Sequence, residues 1–363
     1  MLVDLDYFFA QCEELRNPAI KDKPVTVGVY SGRGEDSGAV STANYVARKY
    51  GVKSGMPIFL AKKKLGNVDA VFLPVDFAFY EEISGKVMKI LRSYADRFEQ
   101  VGIDEAYLDV TQRANGRFEE AEELAKKMKN ELQSQLRLTC SIGVGPNKLV
   151  AKIAAESDKP DGMTIIRPEQ VEGFLSPLPV ERLVGVGVKT REKMQALGIN
   201  TIFDLANYDM QKLIGVFGKT SATYFHNASL GKDDEPVEEK GEAESISRIS
   251  TLKHDSRDLS FILEKADQLC NEIHAAIKAE RVMFKTVGII AITTDMSIHT
   301  RSKTLENPTD DLAVTKNTVK ELFEKFLNET QLDARRVGVK ISNLVREQKT
   351  QKQLTSFMVP SKA

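Results

Sequence analysis

Cysteine is scarce in this sequence, and its three cysteines, Cys12, Cys140 and Cys270, lie far apart along the chain. None belongs to a Cys-x-x-Cys pair or to a Cys/His spacing typical of a metal site. This argues against a disulfide framework and against a structural zinc. We predict that all three are small buried hydrophobic residues.

Long hydrophobic runs are also absent, since no apolar segment approaches the roughly 20 residues that a membrane-spanning helix needs. The first residues lack the basic segment of a secretory signal, so we expect a cytoplasmic protein. There is little excess of charge of either sign, because the formal net charge is -1. This balance does not decide whether the chain binds nucleic acid, for which a local basic surface is enough.

What is present is a chain of 363 residues with 42% hydrophobic and 28% charged residues, an ordinary globular composition. This length predicts two to four domains. Up to about residue 165, strand and helix patterns alternate irregularly, which predicts an α/β or α+β domain. The pattern predicts strands at 1–6, 25–30, 99–111 (two short strands) and 138–144, and helices at 7–15, 42–50, 79–95, 118–135 and 147–157.

The second half of the chain changes character twice. From about 167 to 231 the pattern is entirely helical and contains glycine-centred turns at 183–187 and 213–218. Residues 232–244 carry seven acids and two lysines without apolar periodicity, which is typical of a linker. A last domain is predicted with a strand near 245–252, a helix at 258–280, a hairpin across 285–304, a helix at 311–329 and a strand at 334–345. This βαββαβ order is that of the ferredoxin-like plan.

Acidic residues stand in apolar surroundings at two places in the first domain. Asp4 lies near the end of a short apolar strand, and Asp104 and Glu105 lie at the tip of a predicted hairpin. An acid at a strand end is more often a solvated surface charge, but carboxylates in apolar segments are costly unless a cation compensates them. Phosphoryl transfer to a nucleotide uses two hard divalent cations about 4 Å apart, which take oxygen ligands. The three carboxylates therefore predict a two-metal site.

The segments around these acids, VDLDYFFA at 3–10 and IDEAYLD at 103–109, closely resemble those of the Y-family translesion DNA polymerases, in particular the archaeal and bacterial polymerase IV branch. The likeness continues in order along nearly the whole chain. It implies an α+β right-hand polymerase that carries out template-directed, low-fidelity DNA synthesis across damaged templates. The implied domains are a palm at 1–9 and 77–165, fingers at 10–76, a helical thumb with helix-hairpin-helix elements at 166–230, a linker at 231–244, a βαββαβ little finger at 245–345 and a tail with a clamp-binding motif at 346–363.

The resemblance also implies roles for individual residues. Asp4 and Asp104 would bind both of two Mg²⁺ ions, Glu105 would complete the site that activates the primer 3′-hydroxyl, and the Leu5 carbonyl would bind the nucleotide-side ion. Asp6 lies close by but is left out of the site, because we expect it to have a structural role. The residues implied to contact the nucleotide are Phe8, Phe9, Tyr45, Arg48 and Lys159, and those implied to cover the nascent base pair are Gly38, Ala39 and Ser41.

Phe9 corresponds to the steric gate of the family, where a ring under the sugar excludes a 2′-hydroxyl; a core phenylalanine is the alternative reading. The thumb residues implied to bind DNA phosphates are Gly185, Gly187 and Lys189, although a simple helix-ending turn would explain the glycines equally well. Basic residues on the predicted strands of the last domain could lie along the duplex, or could be solvated strand residues. They are Arg248, Arg301, Lys303, Arg335, Arg336 and Lys340.

The tail segment QKQLTSFM resembles a sliding-clamp-binding peptide, with Gln351, Leu354, Phe357 and Met358 as its anchors. Stray apolar residues in an unstructured tail are the alternative. The expected partners are thus primer-template DNA, deoxynucleoside triphosphates and a sliding clamp, with no membrane, and we expect a monomer.

Two features depart from the family pattern. Gly102 stands where a serine commonly precedes Ile-Asp-Glu, and the linker is acidic where it is often basic.

Two other functions stay open. A nucleotidyl cyclase could share a two-metal palm, but it would not need a helical DNA-binding domain. A non-catalytic DNA-binding or clamp-tethered scaffold would be expected to lose the carboxylates or the triphosphate contacts.

Overall fold

The computed structural model describes residues 1–239, 241 and 243–346. The described residues form two compact units, one of residues 1–29 and 39–239, and one of residues 30–38, 241 and 243–346. None of the helices in the described residues combines the length and apolar character of a membrane span. The predicted clamp-binding residues Gln351, Leu354, Phe357 and Met358 lie outside the described residues.

Strands and helices alternate irregularly up to residue 165 and give way to helices up to residue 230, as predicted. The strands of this part are β1 (Leu2–Leu5), β2 (Val25–Tyr30), β3 (Gly38–Ala43), β4 (Val71–Pro74), β5 (Arg97–Gln100), β6 (Glu105–Asp109), β7 (Cys140–Val144) and β8 (Met163–Ile165). The helices are α1 (Phe8–Arg16), α2 (Tyr45–Lys49), α3 (Ile58–Leu65), α4 (Phe77–Ser93), α5 (Phe118–Leu136), α6 (Lys148–Ser157), α7 (Val171–Leu175), α8 (Val188–Ala196), α9 (Ile202–Ala206) and α10 (Met210–Ser229).

A five-stranded sheet with the order β5-β6-β1-β7-β8 forms the centre of the first unit. Its middle strand β1 is antiparallel to both β6 and β7. Val3 and Leu5 of β1 pack in a core that also holds Leu91 of α4 and Met128 of α5. Helix α6 packs against β7 at Gly143, where a Cβ atom would lie 2.0 Å from the carbonyl oxygen of Ala151. Only glycine fits there, and the close approach brings α6 next to the strands that carry the acids.

A smaller sheet with the order β3-β2-β4 follows α1, and its strands β2 and β4 are parallel. The strand predicted at 25–30 is confirmed. The helix predicted at 42–50 is too long, because residues 42 and 43 end β3 and the helix begins only at Tyr45. Asn44 causes this boundary: its side chain accepts a hydrogen bond from the N–H of Ala47 and so caps α2. Helix α3 and strands β4 and β8 were not predicted.

The helical part contains both glycine turns. Gly185 has a φ of 85°, and a Cβ atom there would approach the Tyr224 ring to 3.3 Å, so the turn before α8 requires glycine. Gly187 is the N-cap residue of α8. The second turn lies inside α10, which is helical on both sides of a kink at Gly218, where φ is 76°.

The acidic segment predicted as a linker is fastened to the first unit over the residues up to 239. Asp233 accepts a hydrogen bond of 2.9 Å from the N–H of Leu149, in the first turn of α6. Lys148 Nζ lies 3.3 Å from Glu235 and 2.8 Å from Glu99 of β5. Part of the negative charge of this segment is therefore balanced by a lysine of the central domain.

The second unit has the predicted element order βαββαβ. Its elements are β9 (Ser245–Ser256), α11 (Leu259–Glu280), β10 (Val282–Thr293), β11 (Ile298–Thr309), α12 (Leu312–Glu329) and β12 (Ala334–Arg346). The strand order differs from that of the ferredoxin-like plan, however, because that plan places the first strand next to the third. Here the sheet order is β11-β10-β12-β9, and each pair is antiparallel. The hydrophobic pattern predicts which residues are buried but not which strand pairs with which.

Candidate active site

Strand pairing brings the three predicted carboxylates together. Asp4 near the end of β1 lies directly opposite Glu105, the first residue of β6. Asp104 immediately precedes β6, and its carbonyl oxygen accepts a 2.9 Å hydrogen bond from the N–H of Leu5. Residues 4, 104 and 105 therefore meet at one end of two adjacent central strands. The prediction of Asp104 at a hairpin tip is confirmed, whereas Glu105 already belongs to the strand.

Two lysines form ion pairs with two of these acids. Lys159 Nζ lies 2.6 Å from Asp4 Oδ2, and Lys152 of α6 forms an ion pair with Glu105. All four side chains are largely buried, with 17% to 26% of their surface exposed. Lys152 was not predicted as a site residue, although it lies four positions after Lys148, which places both on one face of α6.

Burial and the nearby negative charges make Asp4 and Asp104 reluctant to ionise. Burial raises the pKa of Asp4 to about 6; Lys159 opposes this shift, and Asp104 and Glu105 add to it. Burial likewise raises the pKa of Asp104, and the Glu105 charge adds to that shift. Such a crowded set of buried carboxylates is stabilised by added positive charge, and its oxygen donors suit a hard divalent cation.

The donor chemistry therefore fits a divalent metal, but the carboxylates are not arranged as a closed cage. Within residues 1–239, 241 and 243–346, no group of three or more His, Cys, Asp and Glu side chains is close enough to hold an ion as it stands. The lysine pairs account for this, because Asp4 and Glu105 each turn toward an ammonium group. Metal binding would require those two side chains to exchange a lysine for an ion.

The neighbouring aromatic residues differ from one another in their exposure. The Phe9 ring is half-buried and stacks on Tyr80, with 4.4 Å between the ring centroids and an interplanar angle of 14°. The Phe77 ring contacts it edge to face. Phe8, by contrast, is 1% exposed and belongs to the core, so its ring cannot contact a nucleotide. The nucleotide contact predicted for Phe8 stays a prediction, and it would have to come from the backbone of this residue.

Helix α2 carries two more of the predicted nucleotide contacts, Tyr45 and Arg48. The Arg48 guanidinium lies over the Tyr45 ring at 4.6 Å, and its Nε donates to the carbonyl of Ala43. Burial raises the pKa of Tyr45; Arg48 opposes this, and the charges of Asp6 and Asp4 add to the shift, which reflects the nearness of the carboxylates. Gly38, Ala39 and Ser41 all lie on β3, the strand that leads into α2.

Asp6 has a structural role, in agreement with its exclusion from the site. Its side chain is buried, and its two carboxylate oxygens accept hydrogen bonds from the Ser141 hydroxyl at 2.7 Å and from the N–H of Asp161 at 2.8 Å. It thereby ties β1 to β7 and to the loop that carries Lys159.

The basic residues predicted on the strands of the second unit are divided between two faces of its sheet. Arg301 and Lys303 are paired across β10 with buried residues of the helix-covered face, and they form ion pairs with Glu329 and Glu321 of α12. Arg248 lies 4.0 Å from Glu272 of α11, and Arg335 lies 3.7 Å from Asp255. The charge of these four residues is therefore partly neutralised.

Lys340 points to the opposite face. Its neighbours Val339 and Ile341 are buried in the core beneath the helices, so strand alternation directs Lys340 away from them. It is exposed, and it lies beside Ser247 and, across Gly288, beside Ser302. We call this surface, defined by Ser247, Ser302 and Lys340, the polar face. Arg336 has the same strand parity as Lys340.

Comparison with known proteins assigns the chain to a family. Residues 3–156 match the impB/mucB/samB family, 243–356 match the C-terminal domain of that family, and 181–233 match a thumb domain described as that of DNA polymerase-iota. A Y-family DNA polymerase chimera has the same fold, with a TM-score of 0.89 and 37% identity over 95% of this chain and 98% of the other. The chain belongs to the Y family of DNA polymerases.

Among relatives of this Y-family chain, the DNA polymerase IV of Nitrosopumilus maritimus is 49% identical over 98% of both chains. The insertion ternary complex of Dbh DNA polymerase is similar with a TM-score of 0.68 and 37% identity, over 95% of this chain and 98% of the other. The predicted family and α+β right-hand fold are thereby confirmed.

Proposed function

We propose that the chain is a metal-dependent, template-directed DNA polymerase that extends primer 3′ ends, including past damaged template bases. The observation that carries this proposal is the meeting of Asp4, Asp104 and Glu105 at one end of two paired strands, next to two lysines. The central sheet is then the palm, residues 10–76 the fingers, 166–230 the thumb and 245–345 the little finger.

Asp4, Asp104, Glu105 and the Leu5 carbonyl would hold two Mg²⁺ ions. When bound, such ions activate the primer 3′-hydroxyl and neutralise charge on the phosphates. The chain's own contribution is a rigid support, because the carboxylates stand on paired strands whose apolar residues are in the core. Burial raises the pKa of Asp4 and of Asp104, so a cation bound beside them would stabilise their ionised forms.

The triphosphate would be bound by Tyr45, Arg48 and Lys159. A guanidinium and an ammonium group bind phosphate oxygens by charge-assisted hydrogen bonds, and a phenol adds a neutral donor. Lys159 would move from Asp4 to the phosphates when an ion takes its place beside the carboxylate. Its position in the carboxylate site thus keeps it within reach of both.

Small residues would cover the nascent base pair. Gly38, Ala39 and Ser41 have little side-chain volume, and Ala39 is exposed on β3. A cover of this kind makes few shape checks on the base pair, which supports low fidelity and tolerance of damaged templates.

Primer extension tests the proposal. The full chain, given primer-template DNA, Mg²⁺ and deoxynucleotides, should lengthen the primer in the order set by the template, and chelation of the metal should stop the reaction. Formation of a cyclic nucleotide without primer or template would instead support a nucleotidyl cyclase. DNA binding without either product would support a non-catalytic scaffold.

Duplex binding by the little finger would use the polar face and not the paired residues Arg301 and Lys303. We expect Lys340→Ala to weaken primer-template binding and to reduce the slope of log affinity against log salt by about 1, as for loss of one phosphate contact. Fluorescence anisotropy at several salt concentrations measures both quantities.

The matched control is Lys303→Ala, which removes a lysine of the same sheet that is already held by Glu321. It should leave the slope unchanged. If Lys303→Ala lowers the slope and Lys340→Ala does not, duplex DNA binds on the helix side of the sheet and our assignment of the polar face is wrong.

Clamp binding would depend on the tail. Deleting residues 350–363 should abolish the stimulation of primer extension by a sliding clamp and leave unstimulated extension unchanged, because the deletion removes all four anchors of the QKQLTSFM segment. Extension assays with and without clamp measure the stimulation. A Leu354→Ala, Phe357→Ala double variant should behave like the deletion; full stimulation of either protein would refute the assignment.

A further inference from the structure

Glu14 is a buried acid that the mechanism above leaves unused. It lies on α1, the helix that follows the strand carrying Asp4, and its side chain is only 8% exposed. Burial raises its pKa, while hydrogen bonds from Asn44 and Tyr7 lower it. A buried carboxylate is costly unless its oxygens are hydrogen-bonded, so its partners indicate what it stabilises.

The two carboxylate oxygens have different partners. Oε1 accepts a 2.9 Å hydrogen bond from Asn44 Nδ2, and Oε2 accepts one of 3.3 Å from the Tyr7 hydroxyl. Both partners lead to the same place, because Asn44 immediately precedes α2 and the Tyr7 ring contacts the Tyr45 ring edge to face at 5.4 Å. Glu14 thus links α1 to the start of the helix that carries Tyr45 and Arg48.

Asn44 depends on this arrangement. It is 2% exposed, and its Oδ1 accepts hydrogen bonds from the N–H groups of Ala47 and Val25, both at 3.0 Å. Its Nδ2 is thereby directed toward Glu14 and the Lys23 carbonyl. Glu14 therefore holds the Asn44 side chain in place, and Asn44 in turn caps the first turn of α2.

The length of α2 makes this support necessary. With five residues it is too short to be stable alone, so its direction depends on its cap and its packing. Tyr45 and Arg48 are its first and fourth residues and lie on one face. A small tilt of the helix would move both groups together relative to Asp4 and Lys159.

We propose that Glu14 is a positioning residue for the triphosphate: through Asn44 and Tyr7 it holds α2 so that Tyr45 and Arg48 face the phosphates. This inference rests on the proposed role of α2 in binding the triphosphate. Glu13, its neighbour, has a separate partner, since it accepts a 2.7 Å hydrogen bond from the Tyr80 hydroxyl behind Phe9. Loss of Glu14 should therefore affect the phosphate side of the nucleotide and not the sugar side.

The test is single-turnover extension, which separates the dissociation constant for deoxynucleotide from the maximal rate. For Glu14→Leu we expect the dissociation constant to rise about tenfold, corresponding to about 1.4 kcal/mol of lost binding. The maximal rate should fall much less, and selectivity for deoxyribose over ribose should stay unchanged. Glu14→Gln should restore binding, because its amide can accept from Asn44 and donate to the Tyr7 oxygen.

Two further variants distinguish a loss of positioning from a general loss of folding. Asn44→Asp keeps the helix cap but replaces the donor to Glu14, and it should raise the dissociation constant as Glu14→Leu does. Glu131→Leu removes a carboxylate that accepts from Tyr94 between α4 and α5, and it should leave binding unchanged. A Glu14→Leu protein that loses rate but not affinity, or a Glu14→Gln protein as weak as Glu14→Leu, would overturn the proposal.

Arg48→Ala distinguishes the proposed contact between α2 and the triphosphate from the proposed role of Glu14. If it raises the dissociation constant and Glu14→Leu and Asn44→Asp do not, α2 binds the triphosphate but Glu14 does not position it. If Arg48→Ala leaves the constant unchanged, the triphosphate lies elsewhere, and both the proposed contact and the role of Glu14 are wrong.

Discussion

Replacing Asp104 with asparagine should reduce the rate of primer extension by about a thousandfold or more without weakening DNA binding. Asparagine keeps the shape of the side chain but removes the negative charge that a divalent cation requires. Asp104 precedes β6 next to Glu105 and influences the ionisation of Asp4, so its charge acts at the centre of the site. Steady-state extension assays and DNA-binding titrations measure the two effects.

The same substitution should stabilise the metal-free protein. The pKa of Asp104 is raised in the folded chain, mainly by burial, so the folded state binds this proton more tightly than the unfolded state does. The stability contributed by the group is therefore lost as the pH rises through the raised pKa. At about pH 8 we expect Asp104→Asn to raise the Tm by about 2 °C, and at about pH 5 to raise it less.

Calorimetry in the presence of a chelator measures this difference, and Glu82→Gln on the exposed side of α4 provides the control for loss of a carboxylate. An inactive Asp104→Asn protein that is also less stable at about pH 8 would mean that the aspartate supports the fold and not the reaction. Loss of activity together with a gain of stability is what a site selected for metal binding should show.

The location of the acids was predictable because the signals are local. Apolar residues on either side of Asp4 and of the 104–105 pair predicted short strands, and the hairpin placed Asp104 at a tip, as found. The insertion of β1 between β6 and β7 was not predictable from these patterns. That pairing joins residues far apart in the chain, and it is what places Asp4 opposite Glu105.

Long-range partners account for the other differences as well. The pattern in the last domain predicted its strands closely, but residue spacing does not encode the order β11-β10-β12-β9, which depends on how the two helices cover one face. For the same reason, the sequence does not show that Arg301 and Lys303 form ion pairs with acids of α12. Lys152 and Glu14 were missed because their roles depend on residues 47 and 30 positions away.

The other large effect is expected at Phe9. Phe9→Ala should lower the selectivity for deoxynucleotides over ribonucleotides by about a hundredfold, mainly by admitting ribonucleotides. The wild-type ring cannot yield easily to a 2′-hydroxyl, because it stacks on Tyr80 and contacts Phe77 edge to face. Tyr80 is itself fully buried and hydrogen-bonded to Glu13, so the support behind the ring is rigid. Competing extension with matched deoxy- and ribonucleotides measures the ratio.

Side-chain size distinguishes steric exclusion from a general loss of order at the site. Phe9→Tyr keeps a ring and should keep the selectivity, whereas Phe9→Leu should fall between wild type and Phe9→Ala. If the ring only fills the core, all three variants should lose rate with both sugars and leave their ratio unchanged. A selectivity that follows side-chain volume, with deoxynucleotide incorporation largely retained, requires that the Phe9 ring lies against the sugar of the incoming nucleotide.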